Sequence, residues 1–197
     1  MPNLAVSLIL TLLLLAAPQK HKEYFTEGEL DLVRDAQELS ERVPVYFELA
    51  ERRLVILGVT DKSTKQKEKE KKAQEQYEKD KKKAGVNAAK VKPPEDELEY
   101  LHDFTRSELL RGYTQAIEEV MSNIDDNFSR KLNVRNALDA LEKFSRETLV
   151  MLEKVQPKTA VEKTALEEAM EKAKEANSGA KEAIKTIPKT EKKPDHR

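Results

Sequence analysis

Wherever this chain carries a run of apolar residues past its first segment, they recur at every third or fourth position. From Leu30 the series is Leu30, Val33, Ala36, Leu39, Val43, Phe47, Ala50, Leu54 and Leu57. A helix turns once in 3.6 residues, so such a series lies on one helical face, whereas a strand needs strict alternation. A second series runs through Leu98, Leu101, Thr105, Leu109, Tyr113, Ile117, Val120, Ile124 and Phe128. A third is Val134, Leu138, Leu141, Phe144, Thr148, Leu152 and Val155, and a fourth is Leu166, Ala169, Met170, Ala173, Ala176, Ala180, Ile184 and Ile187. Composition agrees with helix: glycine numbers 5 in 197 residues, and charged residues make up 37%, a balance that favours long helices over strands.

Local signals set the expected ends. Thr26-Glu27-Gly28-Glu29 is a capping box, with Phe25 and Leu30 spaced as its hydrophobic staple. Gly58 is a natural stop for the first helix, and Pro44 inside it removes one backbone bond and predicts a bend. The opposite face carries Arg34, Glu38, Arg42, Glu48 and Arg52, read as solvated. The Pro93-Pro94 pair precedes the second helix, which runs to about Arg130. Asn133 is a candidate cap for the third helix and Pro157 its stop. Thr159-Ala160-Val161-Glu162 forms a second capping box, and Asn177-Ser178-Gly179 predicts fraying in the fourth helix.

Two segments stand apart. Leu4 to Ala17 is apolar except for Ser7 and Thr11, then Pro18-Gln19-Lys20 follows. At 14 residues it is short for a membrane span, which needs about 20, and it reads as a cleaved secretory signal. No Lys or Arg precedes it and Leu15 occupies a position where a small residue is preferred, so a retained anchor is the rival reading. From Lys62 to Lys83 there are ten Lys and five acids, with only Ala73 and Tyr77 apolar or aromatic. Such a stretch has no face to bury, and it reads as a solvated helix or an unstructured arm.

The resulting organisation is a signal peptide over residues 1–17, a first core helix within 18–58, a charged arm and linker over 59–94, three further bundle helices within 95–187, and a polar tail over 188–197. Short turns join the last three helices, which should therefore be antiparallel neighbours. The expected fold is all-α: an elongated, coiled-coil-like antiparallel four-helix bundle with a Lys-rich connecting arm.

Chemistry is sparse. With no cysteine there is no disulfide, thiol catalysis, Cys-based zinc site or lipidated cysteine. Glu99-x-x-His102, with Glu95 one turn earlier, has the spacing that supplies two ligands to a di-metal centre in helical bundles. A second such motif is required, but the other histidines, His21 and His196, lie near the two ends of the chain. Glu118-Glu119 and Asp125-Asp126 are paired acids of the kind common on solvated helices. Tyr46, Phe47, Tyr100, Phe104 and Tyr113 read as core or rim packing rather than a ligand cage. The Lys-rich arm, ending in Lys81, Lys82 and Lys83, suits weak polyanion contact, but it lacks Arg and stacking rings and carries interleaved acids. Net charge is −1, which gives the whole molecule no strong pull toward nucleic acid or membrane.

The sequence therefore names no catalytic, cofactor or metal residue. It points to an exported, non-catalytic protein, periplasmic or secreted, that acts by contact with a protein or envelope partner as a monomer or weak dimer. The alternatives are a polyanion binder using residues 62–83 and a metal-dependent bundle enzyme built on Glu99 and His102.

Overall fold

The computed structural model describes residues 24–84, 91–94 and 96–187. The expected signal run, part of the linker, Glu95, His21, His196 and the polar tail lie outside the described residues. Six α-helices are present among them: α1 (Glu27–Asp35), α2 (Leu39–Ile56), α3 (Thr64–Ala84), α4 (Arg106–Ser129), α5 (Arg135–Leu152) and α6 (Ala160–Thr186), with a 3-10 helix at Glu99–Asp103. The fold is all-α, but the expected elongated four-helix bundle with a connecting arm is incorrect. The main packing pairs are α5 with α6, α2 with α4, and α4 with α6.

The first departure is a break at Ala36-Gln37-Glu38, where one helix was expected. Its cause is Glu29. On a continuous helix Glu29 and Arg53, 24 residues apart, would be separated by about 36 Å. Instead α1 folds back, and Arg53 donates Nη1 to Glu29 Oε1 and Nη2 to Oε2, both at 2.9 Å. Arg42 Nε seals the break by donating to the Ala36 carbonyl at 2.8 Å, satisfying a helix-end acceptor that would otherwise lack a partner.

The Lys-rich segment, which reads from sequence as a solvated helix or an unstructured arm, is a helix. Ser63 and Gln66 start it with a reciprocal capping box: Gln66 N–H donates to Ser63 Oγ at 3.3 Å, and Ser63 N–H to Gln66 Oε1 at 2.8 Å. Its base is tied down by Lys62 to Asp96 at 3.0 Å and by a Lys69–Glu97 ion pair. Beyond that base nearly every residue is exposed, as a segment without an apolar face must be.

The second departure concerns neighbours. Arg42–Asn123 at one end and Arg106 to the Leu57 carbonyl at the other set α2 antiparallel to α4. Arg106–Glu162, Arg111–Glu168 and Lys172–Glu118 advance together along both chains, so α4 and α6 are parallel. Asn177 Nδ2 donates to the Glu142 carbonyl at 2.8 Å and Arg135 Nη1 to that of Ile184 at 2.6 Å, so α5 and α6 are antiparallel. Consecutive α4 and α5 thus sit diagonally and meet through the interior, where Tyr113 Oη lies 2.6 Å from Thr148 Oγ1. The α6 stripe makes this arrangement possible. Ala165, Ala169, Ala173, Ala176 and Ala180 are all buried, and side chains this small let α6 wedge between α4 and α5. Asn177, expected to fray α6, instead pins it to α5, and α6 runs unbroken.

The second helix also starts later than expected. Leu98 and Leu101 are buried from the 3-10 turn, and Thr105 is the N-cap of α4, in a capping box with Glu108. The third series is buried throughout, from Val134 to Val155, whereas Phe128 of the second is 57% exposed. Asn133 Oδ1 accepts the Arg135 N–H at 3.0 Å, so it serves the start of α5 with Val134 as the cap residue. Glu162 N–H donates to Thr159 Oγ1, but Glu162 Oε2 accepts from the Lys158 N–H, not from that of Thr159.

Candidate functional site

α2 and α5 meet less extensively than the main helix pairs, and the seam between them opens into a groove of about 920 Å3. Both helices run in the same direction, since each is antiparallel to one of the parallel pair α4 and α6. Phe47 and Phe144 stack at the middle of the seam, with ring centroids 4.1 Å apart and planes 12° from parallel. Val43, Pro44, Ala137 and Ala140 extend this apolar floor. At the N-terminal ends of the two helices the groove is bordered by Leu39, Asn136 and the exposed Leu132. The α4–α5 turn places Leu132 there: Lys131 has φ 60°, with Leu132 N–H bonded to the Asn127 carbonyl and Lys131 N–H to that of Phe128. That pair of bonds is a Schellman closure built on lysine where glycine is usual.

The other end is acidic. Glu48 and Glu51 of α2 and Glu147 of α5 line it, with Glu97 and the base of α3. Glu48 accepts from Arg52 Nη2 at 2.7 Å, and Glu97 is paired with Lys69. Burial first, then the charges of Glu48 and Glu147, push the Glu51 carboxyl above its ordinary pKa. Gln66 closes this end. It is 7% exposed, and its Nε2 is buried without a hydrogen-bond partner.

Behind the groove lies a buried polar network. Arg53 is 0% and Glu29 2% exposed. Arg53 also donates to the carbonyls of Leu49 at 2.8 Å and Tyr24 at 2.7 Å, and stands 5.0 Å from the centre of the Phe25 ring. Glu29 Oε1 accepts from Tyr100 Oη at 2.8 Å, while Oε2 accepts from the Thr26 N–H at 3.0 Å. Burial opposes ionisation of Glu29. Its hydrogen bond and charge interaction with Arg53, with the Thr26 and Tyr100 bonds, outweigh it and hold the carboxyl below its ordinary pKa. Burial, then the Glu29 charge, pushes Tyr100 up to about 12. This network is a clamp on α1 rather than an open site, because its carboxylate is closed off on every side. The sequence reading gave Glu29 only its capping role and placed Arg52 on a solvated face, yet Arg52 is buried against Tyr100 and Glu48.

The residues singled out from sequence are scattered. Glu99 and His102 are exposed on the 3-10 helix, and among the described residues no group of three or more His, Cys, Asp or Glu is placed to hold a metal. Of the aromatics, Tyr46 and Tyr113 are core, Tyr100 joins the buried network, Phe104 packs at its edge, and Phe47 alone floors the groove. Glu118 pairs with Lys172 and Glu119 accepts from Tyr46 Oη, while Asp125 and Asp126 are exposed. Lys81, Lys82 and Lys83 are exposed at the end of α3, with Lys81 standing 5.6 Å from the Tyr77 ring centre. No helix among the described residues is long and apolar enough to cross a membrane. No family model, curated protein or solved structure matches this chain.

Proposed function

We propose that this protein is exported, is not an enzyme, and acts by contact, with the α2–α5 groove receiving an apolar segment of a protein partner. The observation that carries the reading is the groove itself, about 920 Å3 with a stacked Phe47–Phe144 floor. A concave apolar surface with a polar rim is the usual form of a protein-binding cleft. Export rests on the apolar run Leu4 to Ala17 and the Pro18 that follows it. The test is a photoreactive side chain at Ala140, an exposed position in the groove wall, compared with one at exposed Lys181 on α6. In source cells, a crosslinked partner at 140 and none at 181 is expected. Equal crosslinking, or none, would overturn the reading, and an intact mass lacking about 17 residues would support the export step.

A polyanion reading through α3 keeps one supporting observation. Asp80 and Glu78 are engaged by Gln76 and Gln74 rather than by lysines, and Lys81 to Lys83 end the helix exposed. Binding to mixed polyanions that falls steeply with salt is the outcome that would favour it.

A further inference from the structure

We propose that the groove takes an amphipathic helix of a protein partner, laid with its apolar face on Phe47 and Phe144 and with a C-terminal turn bearing Lys or Arg at the Glu48–Glu51–Glu147 end. The inference rests on the contact reading above and adds the partner's chemistry and its direction.

The shape comes first. The α2 wall lines the groove from Leu39 to Glu51, about 18 Å, or roughly three turns of an occupant helix. An occupant in a mostly apolar trough must satisfy its own backbone donors and acceptors, and a helix does so without help from the walls. Three turns with anchors at i, i+3, i+4 and i+7 match a floor centred on two stacked rings.

Charge then fixes one end. The groove lining carries Glu38, Glu48, Glu51, Glu97 and Glu147 against Lys69 and Lys143. Lys69 already belongs to Glu97, and Arg52 holds Glu48. The carboxylates of Glu51 and Glu147 repel each other across the seam, and no cation among the described residues is paired with either. A Lys or Arg from an occupant would relieve that repulsion. An acidic trough equally disfavours a nucleic acid or an anionic lipid surface.

Direction follows from pairing that charge with Gln66. The last turn of a helix presents carbonyls without intrahelical partners and favours Lys or Arg side chains. The carboxylates alone would oppose a helix's carbonyl end, so the last turn must carry the cation that offsets them; Gln66, which lines this end and whose Nε2 has no acceptor, is the donor that favours carbonyls there.

The test is selection of helix-forming peptides from a display library on the full chain, with counter-selection against Ala140→Arg, which fills the groove from an exposed helical position. Recovered peptides are expected to share an apolar stripe with Lys or Arg in the last turn. Their affinity should fall about tenfold or more in Glu51→Lys/Glu147→Lys, and a peptide with Glu in that turn should prefer the reversed protein. Glu51→Gln should weaken binding while raising the melting temperature of the free protein, a combination a purely structural role would not give. Peptides blocked by Ala140→Arg but showing no basic bias would overturn the charge assignment and leave the groove reading standing. Basic residues confined to the first turn would overturn the direction. No peptide sensitive to Ala140→Arg would sink both. Self-association of the wild type in sedimentation, abolished by Ala140→Arg, would give the groove to a second copy and overturn the proposal.

Discussion

Replacing Gly112 by alanine should destabilise this protein, against the rule for helix interiors. Gly112 lies in the second turn of α4, inside the helix, where Gly to Ala ordinarily gains about 1 kcal/mol. Here an alanine Cβ would overlap Arg53 Nε and stand 2.9 Å from Arg53 Cδ and 3.2 Å from Cζ. A free arginine would swing away. This one is fully buried and fixed by two bonds to Glu29 and one each to the Leu49 and Tyr24 carbonyls. Displacing it breaks a buried ion pair, a loss of about 3–5 kcal/mol. Set against the propensity gain, the net is roughly 2–4 kcal/mol of destabilisation. For a chain of this size that lowers the melting temperature by roughly 5–15 °C. Urea unfolding followed by circular dichroism measures it, with a built-in control. In a Glu29→Leu/Arg53→Ala background the Arg53 atoms that meet the added Cβ are gone, and Gly112→Ala should regain its ordinary stabilising sign. A Gly112→Ala protein at least as stable as the wild type would refute the claim that Arg53 is held rigidly against α4.

Four further outcomes are expected. Glu29 has a depressed folded pKa, so its contribution is complete above the unfolded carboxylate value and is lost as pH falls through the folded one. In Glu29→Gln the stability–pH curve should be flatter over that acid interval, read from urea midpoints. Lys131→Gly should raise stability by about 0.5–1 kcal/mol, because Lys131 occupies the left-handed region at φ 60°; an unchanged midpoint would count against strain in that turn. Replacing residues 71–84 with a short flexible linker should leave the melting temperature nearly unchanged, since loop length adds little closure entropy, whereas Lys62→Ala should lower it slightly by freeing Asp96 and Glu70.

Most of the core was legible because periodicity reports burial directly. The third series, Val134 to Val155, is buried at every position. Two kinds of feature escaped. Polar groups that cross between elements leave no periodic trace: Glu29 reads only as a capping residue and nothing in the pattern marks Arg53, although their buried ion pair holds α1 against α2. Phe128 shows the converse, apolar by pattern yet exposed, one residue before the end of α4. For α3 the sequence leaves a solvated helix and an unstructured arm both open, since a segment with no apolar face carries no periodic signal, and its start depends on the Ser63–Gln66 capping pair that the lysine run obscures.

The groove was illegible for a deeper reason. Phe47 and Phe144 each sit correctly on their stripes, and each alone predicts only core. What makes them a floor is the order of helices around the interior, and that order is set by residue size on a third element. The alanine stripe of α6 draws α4 and α5 onto it, puts α4 diagonal to α5, and so brings α2 beside α5 as parallel neighbours. Had Ala169 or Ala173 been leucine, the same stripes would have read as a stronger bundle helix, and close approach of α6 to both partners would have been blocked by overpacking of about 1–3 kcal/mol per site. The sequence signal for the site is thus the smallness of side chains in α6, far along the chain from the residues that line it.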